Sequence, residues 1–286
     1  MEDIPLYQGK TKNILVISGG GIKGFSALGA ITRLKELEII NNPDIFCGTS
    51  AGSAILLLLL IGYSSQDIYE ILSELDMTKM VVNNIDNILD EVHIGLNLCN
   101  PIIYIIGHMM KRKKISTKIT FEQLFKKTGK KLIITGVCLN DASLHYFSHE
   151  NVPNMEVLTA VTISISIPII FKPHLYNNKI WVDGGVMNNY PIDLFNDKIN
   201  DVVGIYLDEE YTTYEEFEDI QSYIHQVIKC IFRGMNYWKI EMYKNNTVHI
   251  KTKNFAFGYE MSKEDIELLY KTGYNAVSEK FGELIN

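Results

Sequence analysis

Gly48-Thr49-Ser50-Ala51-Gly52 places a serine between small residues, directly after one apolar run and directly before a longer one. This pattern is typical of a nucleophile elbow, a sharp turn between a strand and a helix that exposes the serine hydroxyl at the sheet edge. Residues 43–47 predict the strand, and residues 51–61 predict the helix. A chance turn of small residues has the same spelling, but the strand before it and the helix after it favour a nucleophile at Ser50.

The alternation of strand-like and helical patterns predicts an α/β fold. Amphipathic helical runs separate short apolar runs along most of the chain, as in parallel β-α units with helices on both faces of a sheet. We therefore expect a three-layer α/β/α architecture with a central, mostly parallel sheet. The longest apolar run, residues 54–61, is well short of the roughly 20 residues that span a bilayer, so it predicts a core helix.

The length and composition predict one domain over residues 1–286, of which 47% are hydrophobic and 21% charged. The motifs lie within residues 14–191, and residues 201–286 are expected to complete the α/β domain. Residues 76–118 carry the weakest pattern. A long excursion of this kind in an α/β chain is often a lid or cap over the site.

Charge and cysteine usage exclude several classes of function. The formal net charge of −7 argues against nucleic acid as a partner. The four cysteines have no metal-ligand spacing, and three of them lie inside apolar patterns typical of buried, reduced thiols, so we predict no metal and no cofactor. The acidic start lacks a signal-peptide pattern, and we expect a cytoplasmic protein in peripheral contact with membranes.

A second motif, Gly19-Gly20-Gly21-Ile22-Lys23-Gly24, lies between the first predicted strand and the first predicted helix. A phosphate-binding P-loop is excluded, because Phe25-Ser26 stands where a Lys-Ser or Lys-Thr pair is needed. The dinucleotide fingerprint fits the glycines, but the second strand does not end in an acidic residue that could hold a ribose. The third alternative is an oxyanion hole, in which amides of Gly19, Gly20, Gly21 and Gly24 stabilise the anion formed when Ser50 attacks a carbonyl.

A serine nucleophile needs a base. Asp183-Gly184-Gly185 follows the short apolar strand 180–182, and its carboxylate would lie at a strand end with glycines giving access. The alternative is a plain Asp-Gly turn. None of the seven histidines stands in a glycine-bounded loop after a strand, although spatial proximity to Ser50 is not excluded by sequence.

Taken together, the three motifs resemble the patatin-like phospholipase family in order and separation. The resemblance covers residues 14–191 and includes Ser164-Ile165-Ser166-Ile167-Pro168, Phe171-Lys172-Pro173 and Asn188-Asn189-Tyr190-Pro191. It implies a catalytic Ser50–Asp183 dyad without histidine, with Gly48, Gly52, Gly184 and Gly185 as supporting positions. The implied activity is that of a phospholipase A or lysophospholipase, which releases fatty acid from phospholipids or glycerolipids through an acyl-enzyme. Ile165 and Ile167 are bulkier than the residues frequent in the family and would reshape the acyl pocket.

Two other classes remain open at this point. A nucleotide-dependent α/β enzyme would bind phosphates at the first glycine loop, and a silent lipid-binding module would keep the fold without hydrolysis. An acyltransferase would share the acyl-enzyme and differ only in its acceptor.

Two helical segments bear on contact with lipid. Residues 101–110 are apolar and are followed by the basic run 111–114, as in an interfacial segment or in a core helix that ends in a cationic turn. A second apolar stripe in the later chain predicts a helix packed on the core. It comprises Ile220, Ile224, Val227, Ile231, Met235 and Trp238.

Overall fold

The computed structural model describes residues 11–74, 99–168, 170–210, 220–253 and 261–281. The strands are β1 Lys12–Ile17, β2 Ile40–Gly48, β3 Lys131–Cys138, β4 Ser143–Phe147, β5 His174–Tyr176, β6 Lys179–Asp183, β7 Val202–Glu209 and β8 Thr247–Thr252. The α-helices are α1 Gly24–Glu36, α2 Ala51–Leu60, α3 Ser65–Ser73, α4 Cys99–Arg112, α5 Phe121–Thr128, α6 Val157–Ser164, α7 Gly185–Asn188, α8 Ile220–Met242 and α9 Lys263–Phe281. Gly21–Lys23 and Pro191–Asp201 form 3-10 turns.

A mixed, mostly parallel sheet organises these elements. Its order is β5-β6-β3-β2-β1-β7-β8, with β4 paired to β3. Strands β3, β2, β1, β7 and β8 run parallel, whereas β4, β5 and β6 pair antiparallel. The predicted α/β class with a mostly parallel central sheet is confirmed.

Both faces of the sheet are buried, because alternate residues of one strand enter different cores. Leu15 and Ile17 of β1 pack in the larger core with residues of α1, α2, α6 and α9. Ile14 and Val16 enter a smaller core with Tyr190, Ile192 and Tyr243. The smaller core lies under the Pro191–Asp201 turns and the last turn of α8. These two covers make the three layers that the sequence predicts.

Local signals place several elements correctly. The capping pattern at Thr120 starts α5, where its hydroxyl accepts from the amide of Gln123 and the Gln123 side chain returns to the Thr120 amide. Gly129 ends that helix in the left-handed conformation, with a φ of 69°. Helix α2 is buried along most of its length, as its apolar run predicts. The sequence analysis did not predict α3 or the three-residue strand β5.

Helix α4 covers the apolar stretch for which an interfacial role and a core role were both open. Ile106, Met109 and Met110 are buried in the larger core. Lys113, just beyond the helix, donates to the carbonyl oxygen of Gly62 at 2.6 Å and lies over the Tyr63 ring. The structure therefore favours a core helix with a cationic turn. Of the predicted lid, residues 75–98 lie outside the described residues.

Helix α8 differs from its prediction. Val227, Ile231 and Trp238 are 40%, 54% and 46% exposed, so their predicted place in the core is wrong. The inward face of the helix is formed instead by Asn236, Lys239 and Tyr243, which are buried. An apolar stripe identifies one face of a helix but does not say which face the protein covers. The side chains of Ile220 and Ile224 lie outside the described residues.

The cysteines and the helix lengths complete the description. Cys47 and Cys138 are buried thiols, as expected, whereas Cys230 is exposed on α8. Within the described ranges, no helix combines the length and the hydropathy needed to cross a membrane.

The contact between α1 and α9 generates a stability prediction. A Cβ on Gly273 would lie 1.7 Å from the carbonyl oxygen of Ser26, so Gly273→Ala must push the two helices apart. We expect a loss of about 1–3 kcal/mol in the free energy of unfolding, measured in urea. Gly234→Ala is the matched control, because a Cβ there meets nothing within 4 Å and should stabilise α8 by about 0.5–1 kcal/mol. Equal stability of the two variants would contradict the close helix contact.

Candidate active site

The register of the sheet brings the ends of two strands together. Strand β4 pairs with both Ile134 and Gly136 of β3, and a residue has one partner on each side. The partners Gly48 of β2 and Asp183 of β6, which pair with those same residues, must therefore lie along the opposite edge of β3. Strands β2 and β6 run in opposite directions there and meet end to end. The residues that follow β2 consequently face Asp183.

Ser50 has the backbone geometry of a nucleophile elbow. It follows β2, precedes α2 and has a φ of 53° and a ψ of −129°, which are unusual for a residue with a side chain. Such a conformation costs on the order of 1–3 kcal/mol and persists only where the surroundings enforce it. The amide of Gly52 donates to the Thr49 carbonyl at 2.9 Å, and that of Ser53 donates to the Ser50 carbonyl at 2.9 Å. These bonds fix the turn.

Asp183 is buried beside Ser50. Its side chain is 4% exposed, and its Oδ1 accepts from the Gly185 amide at 2.7 Å. Burial raises the pKa of the carboxyl to about 7, against the opposing effects of the Gly185 amide and of a hydrogen bond with the Ser50 side chain. A carboxyl with a pKa near neutrality can both accept and return a proton at physiological pH.

One short segment at the end of α6 holds both residues. The Ser50 amide donates to Oγ of Ser164 at 2.9 Å, and the Asp183 amide donates to the Ser166 carbonyl at 3.0 Å. The sequence analysis singled out this segment only for its resemblance to the family and assigned it no role. Its buried serines fix the positions of the serine and the carboxylate relative to each other.

The glycine loop lies against Ser50. A Cβ on Gly19 would be 3.0 Å from the Cβ of Ser50, which shows how closely the two loops approach. The Gly19 amide donates to the Asn189 carbonyl at 3.1 Å, and the Gly24 amide caps the 3-10 turn. The amides of Gly20 and Gly21 have no hydrogen-bond partner within the described parts of the chain. Gly21, with a φ of 54°, turns the loop at this point.

The four supporting glycines are positions of close approach. A Cβ on Gly52 would lie 2.6 Å from the Ile17 carbonyl oxygen, and one on Gly184 would lie 2.1 Å from Oγ1 of Thr135. Gly48 and Gly185 are similarly crowded, by α2 and by the Asn189 side chain. Side chains at these positions would force the elbow and the aspartate loop apart.

Histidines take no part in the described contacts of Ser50 and Asp183. His145 is near Ser143, with 2.8 Å between Nε2 and Oγ, and His249 is near Asp208, with 2.8 Å between Nε2 and Oδ2. His149 stacks on Phe125. His93 and the side chain of His225 lie outside the described residues.

A polar network behind the site was missed by the sequence analysis. The Thr49 hydroxyl donates to the Asn188 carbonyl at 3.2 Å and accepts from the Thr135 hydroxyl at 2.8 Å. The buried amine of Lys239 donates to Oδ1 of Asn188 at 2.7 Å and to Oδ1 of Asp193 at 2.8 Å. The network ties α8 to the turn that follows Asp183.

Other places on the molecule are separate from this site. A cleft of about 280 Å³, lined by Asn13, Ile14, Asp44, Ile45, Lys198 and Asp201, lies at the opposite end of the parallel strands. Over the described residues, no group of three or more His, Cys, Asp or Glu side chains is arranged to hold a metal ion.

Comparison with known sequences identifies the family. A profile of the patatin-like phospholipase family matches residues 15–196, so the chain belongs to that family. A probable lipid hydrolase, 463L of invertebrate iridescent virus 6, is 39% identical over 183 residues, which cover 63% of this chain and 62% of that protein, less than two thirds of its length. Protein R571 of Acanthamoeba polyphaga mimivirus is 28% identical and aligns over 98% of this chain and 97% of its own length.

Solved structures show the same fold. VipD from Legionella pneumophila superposes with a TM-score of 0.68 at 18% identity, over 96% of this chain and 67% of VipD. The type III effector ExoU superposes with a TM-score of 0.57 at 14% identity, over 96% of this chain and 53% of ExoU. At these identities the likeness is one of fold.

The buried carboxyl predicts a dependence of stability on pH. Asp183 has a model value of 3.8 and a folded pKa of about 7, so between these values the fold holds a proton that unfolding releases. The stabilisation is complete below pH 4 and is lost as the pH rises to 7. From pH 5 to 8, the wild type should lose roughly 2–3 kcal/mol relative to Asp183→Asn in urea unfolding.

Ser50→Ala is the control for this comparison, because it keeps the carboxyl and should keep the loss. An Asp183→Asn chain whose stability follows the wild type across this range would show that the carboxyl does not titrate near neutrality.

Proposed function

We propose that this protein is a serine carboxylic ester hydrolase that releases fatty acids from phospholipids or related glycerolipids. The observation that carries the proposal is the contact between Ser50, on a strained elbow, and the buried carboxyl of Asp183, whose pKa is about 7. Family membership and the printed names of two relatives support the substrate class. One is the viral probable lipid hydrolase, and the other is triacylglycerol lipase 4 of Saccharomyces cerevisiae, 26% identical over 215 residues, which cover 66% of this chain and 23% of that protein.

The reaction needs two proton transfers at one carboxyl group. Asp183 accepts the proton of Ser50 while Oγ attacks the ester carbonyl carbon, and the protonated carboxyl then gives that proton to the leaving alcohol as the C–O bond breaks. Water attacks the acyl-enzyme, Asp183 accepts its proton, and the proton returns to Oγ as the fatty acid leaves. A base with a pKa near the working pH is suited to both directions.

The oxyanion is assigned to the amides of Gly20 and Gly21. They are the donors of the loop that have no partner in the described chain, whereas the amides of Gly19 and Gly24 are already engaged. Removing one such donor typically costs a hundred- to thousandfold in rate, so the loop matters about as much as the base.

The two other classes are less well supported. A dinucleotide enzyme needs the first glycine loop open to phosphate, but the Gly19 amide is bonded to Asn189 and the loop is pressed against Ser50. A silent lipid-binding module has no use for a strained serine in contact with a buried carboxyl, since both features reduce stability.

Kinetics on a dissolved, fluorogenic short-chain ester test the chemistry. For the wild type, kcat/KM should rise between pH 5 and 8 with an apparent pKa of about 7, because the ionised carboxylate is the base. Ser50→Ala and Asp183→Asn should each lower kcat/KM by roughly 10⁴-fold or more while remaining folded.

His145→Gln is the matched control and should retain activity, because His145 bonds Ser143 and not Ser50. Activity retained in Asp183→Asn would reject the dyad. Fatty acid detected by mass spectrometry after incubation with phosphatidylcholine vesicles checks the substrate class.

A further inference from the structure

Helix α8 presents its apolar side outward. Besides Val227, Ile231 and Trp238, the exposed side chains are those of Tyr223, Tyr237 and Met242. Tyr223, Val227, Ile231, Trp238 and Met242 recur at intervals of four or seven residues, which places them on one face. A helix with its apolar face outward and polar side chains inward reverses the usual arrangement of a surface helix. Contiguous exposed apolar surface of this kind marks a site of interaction.

The polar contacts of the inner face hold the helix in this orientation. The Lys239 amine donates to Asn188, Asp193 and the Tyr190 carbonyl, at 2.7, 2.8 and 3.2 Å. Rolling the helix over to bury its apolar face would separate Lys239 from Asp193 and leave Asn188 without its donor. Breaking a buried ion pair in this way is strongly destabilising, so the apolar face stays exposed.

The exposed face lies next to the candidate active site. Asn188, which Lys239 contacts, receives the hydroxyl of Thr49 beside Ser50 and donates its amide to the Gly184 carbonyl. Met187 and Leu194, on either side of the residues that Lys239 binds, are also exposed and extend the apolar surface toward the Asp183 loop. A surface that docks on α8 would therefore be adjacent to the reacting groups.

The chemistry of the face fits a lipid surface. Tyr and Trp, which have an apolar ring and a polar group, are the residues favoured at the boundary between acyl chains and headgroups. The α8 sequence contains three basic residues, Lys229, Arg233 and Lys239, against one acidic residue, Glu241, in a chain with a net charge of −7. This local excess of positive charge complements anionic lipid headgroups.

We propose that the outer face of α8 docks on the surface of a phospholipid bilayer and holds the Ser50–Asp183 site against its substrate. The inference rests on the proposed function, which requires an ester that resides in a lipid aggregate. The helix lies in the plane of the interface, with its polar side on the protein and its apolar side among the lipids.

Vesicle binding by a triple variant tests this docking. Val227→Ser, Ile231→Ser and Trp238→Ser are combined in the full chain, and flotation with phosphatidylcholine vesicles containing phosphatidylserine is measured in a Ser50→Ala background, so that no lipid is consumed. We expect affinity to fall on the order of a hundredfold. With Ser50 intact, the triple variant should hydrolyse the dissolved ester within about twofold of the wild-type rate, since no group at the site has changed.

The matched control changes three exposed side chains elsewhere, with Tyr104→Ser, Leu175→Ser and Leu268→Ser. It should bind vesicles as the parent chain does. Unchanged vesicle affinity in the α8 triple variant would overturn the inference, as would a wild-type dimer that the variant converts to monomers without loss of vesicle binding. A chain that binds vesicles through α8 but hydrolyses no ester would leave the inference standing and refute the proposed function.

Cys230 offers a second test that leaves the apolar side chains intact. It is an exposed thiol on α8, whereas Cys47 and Cys138 are buried, so an environment-sensitive thiol fluorophore can be directed to it in a Cys99→Ser chain. Its emission should shift to shorter wavelength on addition of vesicles. Emission that does not shift while the protein floats with the vesicles would show that another surface is the docking site.

Discussion

One edge of β3 is shared by two strands that approach each other from opposite directions, and the position of the candidate site depends on this arrangement. Gly48 and Asp183 pair with Ile134 and Gly136, two residues apart on β3. The elbow after β2 and the carboxyl at the end of β6 are thereby brought into contact without a loop having to close over them. Because the sheet is buried on both faces, the carboxyl is excluded from water, which raises its pKa toward neutrality.

The site combines two features that reduce stability, a non-glycine residue with a positive φ and a buried ionisable group. The surrounding structure compensates through local hydrogen bonds. Ser164 accepts from the Ser50 amide, Ser166 accepts from the Asp183 amide, and Gly185 donates to the carboxylate. These contacts connect the end of α6 to both residues, so the separation of the hydroxyl and the carboxyl is set by rigid elements of the fold.

Much of this arrangement was predictable from the sequence because its signals are local. The alternating patterns gave the α/β class, small residues between a strand and a helix indicated the elbow, and a capping box marked the start of α5. Contacts between distant residues carried no such signal. Lys239 meets Asn188 across 51 positions, and nothing in the α8 pattern indicates that this lysine is inward and Trp238 outward. The end-to-end meeting of β2 and β6 likewise depends on antiparallel pairing that short strands do not specify.

The account's central claim is that the Asp183 carboxylate activates the Ser50 hydroxyl. The most direct measurement is the rate of phosphonylation by a fluorophosphonate as a function of pH, with the modified residue identified by peptide mass spectrometry. The account predicts a single adduct on Ser50, formed at a rate that rises with an apparent pKa of about 7 and becomes negligible in Asp183→Asn. An adduct on another residue, or labelling of Asp183→Asn at the wild-type rate, would contradict it.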